Sequence, residues 1–194
     1  MPGCRPLTPQ EVDLVSKSFG GTFALRDKAL FILGTLSGFR ITELLSLRVK
    51  DVRQYGQIVE RVTVQRRHMK RKQQSRSVVL HAQAKVALLE WLGAMEKRLD
   101  VTPDTFVFQS RKGKNRAITR VQALHVLKEA FASCEMHGTL GTHSMRKTFA
   151  KNVHQRLGND LFKTKQALGQ KNIAATIHYM SFLEDEIDQA ILDQ

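Results

Sequence analysis

Four residues stand apart in this sequence by type and spacing: Arg40, His143, Arg146 and Tyr179. In the run His143-Ser144-Met145-Arg146 the histidine and arginine are three apart, so on a helix they project from one face and reach a common anion. Arg40 precedes the apolar run Ile41, Leu44, Leu45, Leu47 and so falls at a predicted helix N-terminus, where backbone N–H groups and the helix dipole already favour negative charge. Tyr179 is one of only two tyrosines, the other being Tyr55. Together these types suit phosphoryl transfer. Arginines clamp the non-bridging oxygens where charge builds up, and a phenolic oxygen can attack phosphorus to give a covalent intermediate.

Competing chemistries lack their residues. There is no glycine-rich phosphate loop of the Walker or dinucleotide type, and no C-x-x-C, H-E-x-x-H or G-x-S-x-G motif. A metal nuclease needs a compact acidic cluster, and the densest one here is the C-terminal tail. Cys4 and Cys134 are far apart without metal-type spacing, which indicates neither a disulfide framework nor a zinc site and predicts a buried thiol at Cys134.

The charge points to a polyanionic partner. The 194 residues carry 31 Lys and Arg against 18 Asp and Glu, for a net charge of +13. The last fourteen residues hold five acids (Glu184, Asp185, Glu186, Asp188, Asp193) and no base, so residues 1–180 stand at +18. The basic residues crowd two polar, turn-like segments, Arg66, Arg67, Lys70, Arg71, Lys72 and Arg76, then Arg111, Lys112, Lys114 and Arg116. That clustering favours a nucleic-acid backbone over a membrane surface, with a solvated turn as the alternative for the first segment. No stretch approaches the roughly 20 apolar residues of a membrane span, and the start MPGCRPLTPQ lacks the layout of a secretory signal, so the expected address is cytoplasmic.

The elements that must position these residues are legible in outline. Residues 1–7 are expected to be a loose end. Thr8-Pro9-Gln10-Glu11 predicts a helix start, with a capping hydroxyl, a proline at the first position and a glutamate three residues after the cap. Leu25, Ala29, Leu33 and Leu36 predict one apolar stripe ending at Gly38. The period then changes to two over 58–64 and 77–80, predicting a hairpin whose tip is the first basic segment. A helix over 83–99 is expected to face the core with Val86, Leu89 and Leu92 beside Trp91, and Thr119 should cap another reaching Ser133. From Thr142 the chain reads as helical, broken at 158–160 and 169–172. The predicted class is α+β, mainly α: a helical domain with one small antiparallel sheet.

Three stretches carry a family resemblance. Leu36-Ser37-Gly38-Phe39-Arg40-Ile41-Thr42-Glu43-Leu44-Leu45-Ser46-Leu47 resembles the first-arginine box of the tyrosine recombinases, the phage-integrase family. Gly141-Thr142-His143-Ser144-Met145-Arg146-Lys147-Thr148-Phe149-Ala150 is similar to its H-x-x-R box, and Ala167-Leu168-Gly169-Gln170 with Tyr179 nine residues on is similar to its L-G-H box and nucleophile. The resemblance implies the catalytic core shared with type IB topoisomerases, acting on double-stranded DNA without metal or other cofactor. It makes Tyr179 the nucleophile of a 3′-phosphotyrosyl bond, Arg40 and Arg146 the phosphate clamps, and His143 the acid-base partner. Glu43 would orient the basic cluster. A hairpin lysine would be the general acid, Lys72 in first place and Lys70 in second, and the remaining cations of both basic segments would grip DNA.

The family pattern is broken in two places: Gln170 stands where His or Trp is usual, and no separate N-terminal DNA-gripping domain is expected before the catalytic domain over residues 8–182, which reads as an isolated or minimal catalytic domain. Residues 183–194, with Leu183, Ile187, Ala190 and Ile191 at helical spacing, read as a tail helix. Exchange of such tails implies a tetramer in a recombination synapse, with a monomer expected in solution. Two alternatives remain open on sequence: a non-enzymatic helix-turn-helix module built from 161–180, and a topoisomerase that relaxes DNA without strand exchange. Arg40 and Arg146 could also serve only as ion-pair partners of Glu43 or Glu135, and Tyr179 as a packing residue.

Overall fold

The computed structural model describes residues 3–64, 75–179 and 191–192. Among them nine helices and four short strands follow in order: α1 (Pro9–Ser18), α2 (Ala24–Ser37), α3 (Ile41–Ser46), α4 (Val49–Val52), β1 (Arg53–Gln54), β2 (Gln57–Ile58), β3 (Arg61–Val64), β4 (Arg76–Val79), α5 (Ala82–Glu96), α6 (Arg120–Ser133), α7 (Thr142–Arg156), α8 (Leu161–Ala167) and α9 (Ile173–Tyr179). The mainly helical α+β expectation holds. No helix among the described residues is long and apolar enough to cross a membrane.

Local signals account for the ends of several helices. Thr8 accepts the Glu11 N–H while the Glu11 carboxylate accepts the Thr8 N–H, closing the predicted capping box. Thr119 caps α6 through the Gln122 N–H, as read from the sequence. Gly38 ends α2 at φ 59, where a Cβ would stand 2.2 Å from Phe149 Cδ1, so both backbone and space demand glycine there.

Packing departs from expectation at α2. Instead of one stripe, the helix is buried on nearly every side between α5 and α7, with Leu30, Phe31 and Leu33 at the centre and Leu25 at the surface. Its hydroxyls are satisfied within the helix, Thr35 donating to the Phe31 carbonyl and Ser37 to that of Leu33. On α5 the core face is Ala84, Ala87, Leu88, Trp91, Leu92 and Met95. Val86 and Leu89, expected inside, are exposed. Alanines at 84 and 87 let the helices approach closely along a line that bulky residues alone do not mark. Trp91 Nε1 donates to the Val107 carbonyl at 2.6 Å, and that bond fixes its side of the helix inward.

Three further expectations are corrected. The 58–64 run is not one strand: β1 and β2 pair across a Tyr55-Gly56 turn, and β3 pairs separately with β4 (Val64 opposite Arg76), giving two two-stranded antiparallel sheets. Residues 3–7 are not loose. Leu7 is buried and its N–H reaches Thr148 Oγ1 at 2.8 Å, while Arg5 pairs with Glu11 and donates to the His137 carbonyl, strapping the start of the chain across α7. Cys134 is half-buried at the core edge, not inside it.

The α5 correction is directly testable. Leu92→Ala is expected to lower the unfolding free energy by about 2–5 kcal/mol, and Leu89→Ala by less than about 1 kcal/mol, in urea denaturation followed by circular dichroism.

Candidate active site

Two helix ends and two buried arginines build the site. Helices leave their last carbonyls unpaired and partly negative. At the C-terminus of α2, the Ser37 carbonyl accepts from Arg76 Nη2 at 2.9 Å and the Gly38 carbonyl from Arg76 Nη1 at 3.0 Å. At the C-terminus of α8, the Ala167 carbonyl accepts from Arg76 Nη2 at 2.6 Å and the Leu168 carbonyl from Arg146 Nη2 at 2.9 Å. Arg146 Nη1 also donates to Gly38. The two guanidiniums therefore staple helix ends far apart in sequence onto one point.

Arg76 was expected on the DNA-binding surface, and the structure corrects this: it is buried beneath the site. Its position shares a strand face with Val78 and Leu80, an inward signal that the period-two pattern contains. Gly169, at φ 61, gives Arg76 its room, since a Cβ there would lie 2.6 Å from Arg76 Cδ.

Arg40 and Glu43 close the next layer. Glu43 sits at the third position of α3 and is only 1% exposed. It accepts the Arg40 N–H at 2.7 Å, pairs with Arg40 Nη1 at 2.9 Å, and stands 3.9 Å from Arg76 Nη1. So Arg40 does pair with Glu43, yet its side chain keeps 32% of its surface open to solvent. Burial, with Arg146 next, pushes the Arg76 guanidinium down to about 9. Burial, with Arg40 next, takes Arg146 down to about 10, opposed by Tyr179 and Glu43. Both stay charged at neutral pH.

His143 and Arg146 lie on one face of α7 and meet Tyr179, which arrives from α9. The Tyr179 ring centroid is 5.1 Å from Arg146 Cζ. Its Oη lies 3.5 Å from His143 Nδ1, a long contact. Burial first, then Arg146, Arg120, Arg40 and Lys147, lowers the His143 pKa below its ordinary 6.5. The ring is therefore neutral at pH 7 and able to accept a proton. Arg120, absent from the sequence reading, enters through this field. Tyr179 also joins a small apolar cluster with Phe149, Ala150 and Leu168, so its packing and its placement are one arrangement.

Gln170 is buried in the α8–α9 turn, where its Oε1 accepts the Thr176 hydroxyl at 2.6 Å. With Ser75, Arg76, Ser77 and Lys171 it borders a cavity of about 280 Å³. The expected cations Arg66, Arg67, Lys70, Arg71 and Lys72 lie outside the described residues. Arg111, Lys112, Lys114 and Arg116 are exposed but are not brought to this site. Their loop packs near Phe23 at the other end of α2, with Arg26 donating to the Gln109 carbonyl. The fourteen residues of α2, roughly 21 Å of helix, separate that end from Gly38. His154, read as a packing or surface residue, is buried against Thr164 Oγ1 at 3.0 Å. Among the described residues no cluster of three His, Cys, Asp or Glu could hold a metal ion.

Comparison with known proteins places this geometry. The sequence profile of the phage integrase family matches residues 6–185. A probable integrase/recombinase of Bacillus subtilis, YoeC, is 30% identical over 164 residues, covering 82% of this chain and 80% of that protein. The tyrosine recombinase XerC of Myxococcus xanthus is 28% identical over 172 residues, 85% of this chain and 53% of XerC. The chain thus spans about half the length of XerC. In fold, the XerH site-specific recombinase, crystallised with its difH substrate in a pre-cleavage complex, superposes with a TM-score of 0.73 at 21% identity, over 96% of this chain and 53% of XerH.

The electrostatics yield a signed expectation. The His143 ring in the free protein should titrate by NMR with a midpoint below 6.5, and Arg120→Gln, which removes one exposed positive charge, should move that midpoint upward. Because the unfolded chain takes this proton at higher pH than the folded one, His143 makes the fold less stable as pH falls below about 6.5.

Proposed function

The chain belongs to the phage integrase family, and from that membership and this site we propose that it is a site-specific DNA recombinase working through a 3′-phosphotyrosyl intermediate. The observation that carries the reading is the meeting of Tyr179 with His143 and Arg146, brought from separate helices onto one buried cationic floor. Tyr179 Oη attacks the scissile phosphorus. Its proton passes to the neutral His143, and the bond from phosphorus to the 5′ oxygen breaks. Arg40 and Arg146 neutralise the non-bridging oxygens in the transition state. Lys72, or Lys70, protonates the departing 5′ oxygen. Attack by a 5′ hydroxyl on the phosphotyrosine then frees Tyr179 and reseals the strand. The bond energy is kept in the protein–DNA linkage, so the cycle needs no energy-supplying cofactor.

The net charge of +13 supports double-stranded DNA as the partner. Arg111, Lys112, Lys114 and Arg116 would meet phosphates further along the duplex, at a distance from the cleavage point. A monomer in solution and a tetramer on DNA joined through the tail belong to the same proposal. They rest on the apolar spacing of Leu183, Ile187, Ala190 and Ile191, of which only Ile191 lies within the described residues.

The helix-turn-helix reading finds little support in α9. Within the described residues that helix presents Ala174, Ala175 and Ile177 outward, none of which can read a base by hydrogen bonding. Relaxation without strand exchange shares all the chemistry above and is separated from recombination only by its products.

Incubation with supercoiled plasmid at low salt, quenched with detergent, should yield protein linked to a 3′ phosphate, and Tyr179→Phe should yield none. Adduct formation by the variant would overturn Tyr179 as nucleophile. Binding by both proteins with no adduct would favour the binding module. Relaxed plasmid without recombinant product would favour the topoisomerase reading.

A further inference from the structure

Gln170 occupies the corner of the site where the family resemblance expects an aromatic or imidazole N–H. A glutamine there presents a choice that His and Trp do not. One end of its amide donates hydrogen bonds and the other only accepts, so one orientation offers a phosphate a donor and the other turns a carbonyl dipole against it. Something must decide the orientation.

Thr176 is the residue placed to decide it. It is fully buried on α9, one turn before Tyr179, and its Oγ1 lies 2.6 Å from Gln170 Oε1. That separation fits an O–H···O bond, whereas an N–H···O bond to the other end of the amide would lie nearer 2.9–3.0 Å. With Oε1 held, Nε2 is left as the end of the amide that makes no hydrogen bond within the described residues. The surrounding backbone is also fixed, because Arg146 Nη2 holds the Leu168 carbonyl and the Gln170 N–H is tied to the Lys165 carbonyl at 3.0 Å.

We propose that Thr176 is a positioning residue for DNA cleavage: its hydroxyl holds the Gln170 carbonyl so that the amide N–H of Gln170 faces the scissile phosphate. This deepens the recombinase reading and rests on it. Thr176 touches no substrate and acts only through Gln170. The same bond ties the α8–α9 turn to the helix that carries the nucleophile.

Two readouts test the proposal. In the first, the Gln170 side-chain amide signals, assigned by their loss in Gln170→Ala, are followed by NMR as inorganic phosphate is titrated at low salt. They should shift in the parent and in Thr176→Ser, and not in Thr176→Val. The second is the rate of covalent adduct formation on supercoiled plasmid under single-turnover conditions. Thr176→Val should be slower by about 10- to 100-fold, the loss of one oriented donor. Thr176→Ser should restore most of the rate, and Thr176→Val should have no further effect in a Gln170→Ala background. Backbone amide spectra check that each variant folds, with Thr176→Ala replacing Thr176→Val if that variant does not. Equal loss in the valine and serine variants, an undiminished valine effect without Gln170, or an amide that ignores phosphate in the parent would each overturn the proposal. An amide that responds as stated in a parent that forms no adduct would instead leave the positioning intact and remove the cleavage reading.

Discussion

Two guanidiniums buried side by side repel each other and have each lost water, and the rest of this site is arranged around meeting that demand. The effective penalty of burying an ion is several kcal/mol, and removing one partner from a buried charged cluster typically costs about 3–5 kcal/mol. Here the compensation comes mainly from backbone. The carbonyls of Ser37, Gly38, Ala167 and Leu168 all accept from Arg76 or Arg146, and Glu43 adds one buried carboxylate. The Nε atoms of both arginines are buried without a hydrogen-bond partner among the described residues. Such a floor is only partly neutralised, and in the proposed reaction a phosphate group would supply the missing negative charge.

Function follows from how that floor is suspended. Because Arg76 comes from β4 and Arg146 from α7, the ends of α2 and α8 cannot separate without exposing a charge or leaving a carbonyl unpaired. The α8–α9 turn is held in this way, and α9 carries Tyr179 back over Arg146 and beside His143. Burial, with Arg146 and the neighbouring cations next, lowers the His143 pKa and favours its neutral ring. In the proposed reaction, the arrangement that would bind the phosphate also prepares His143 as the base for Tyr179, with little reorganisation left for the moment of reaction.

Residues whose role shows in local spacing were legible in the sequence. The H-x-x-R pair, the arginine before α3, the Thr8 and Thr119 caps and the Gly38 stop depend on neighbours within a few positions. What was misread depends on burial set by distant elements. Arg76 looked like one more cation of a basic turn, although its strand face pairs it with Val78 and Leu80. Val86 and Leu89 looked like core because they are apolar, while small Ala84 and Ala87 mark the true contact line on α5. The burial of α2 on nearly every side arises from packing against α5 and α7, and the strap formed by residues 3–7 from contact with α7, which no local pattern carries. The hairpin lysines fall outside the described residues, so that part of the site stands on family resemblance alone.

Arg76 holds the site together from beneath. Hydrogen exchange across α8 and α9 in Arg76→Lys tests this role most directly, because lysine keeps the charge but cannot reach three carbonyls in one planar fork. Amides of residues 161–179 should lose protection while those at the centre of α2 and α5 keep theirs. Unchanged protection across 161–179 would contradict this role.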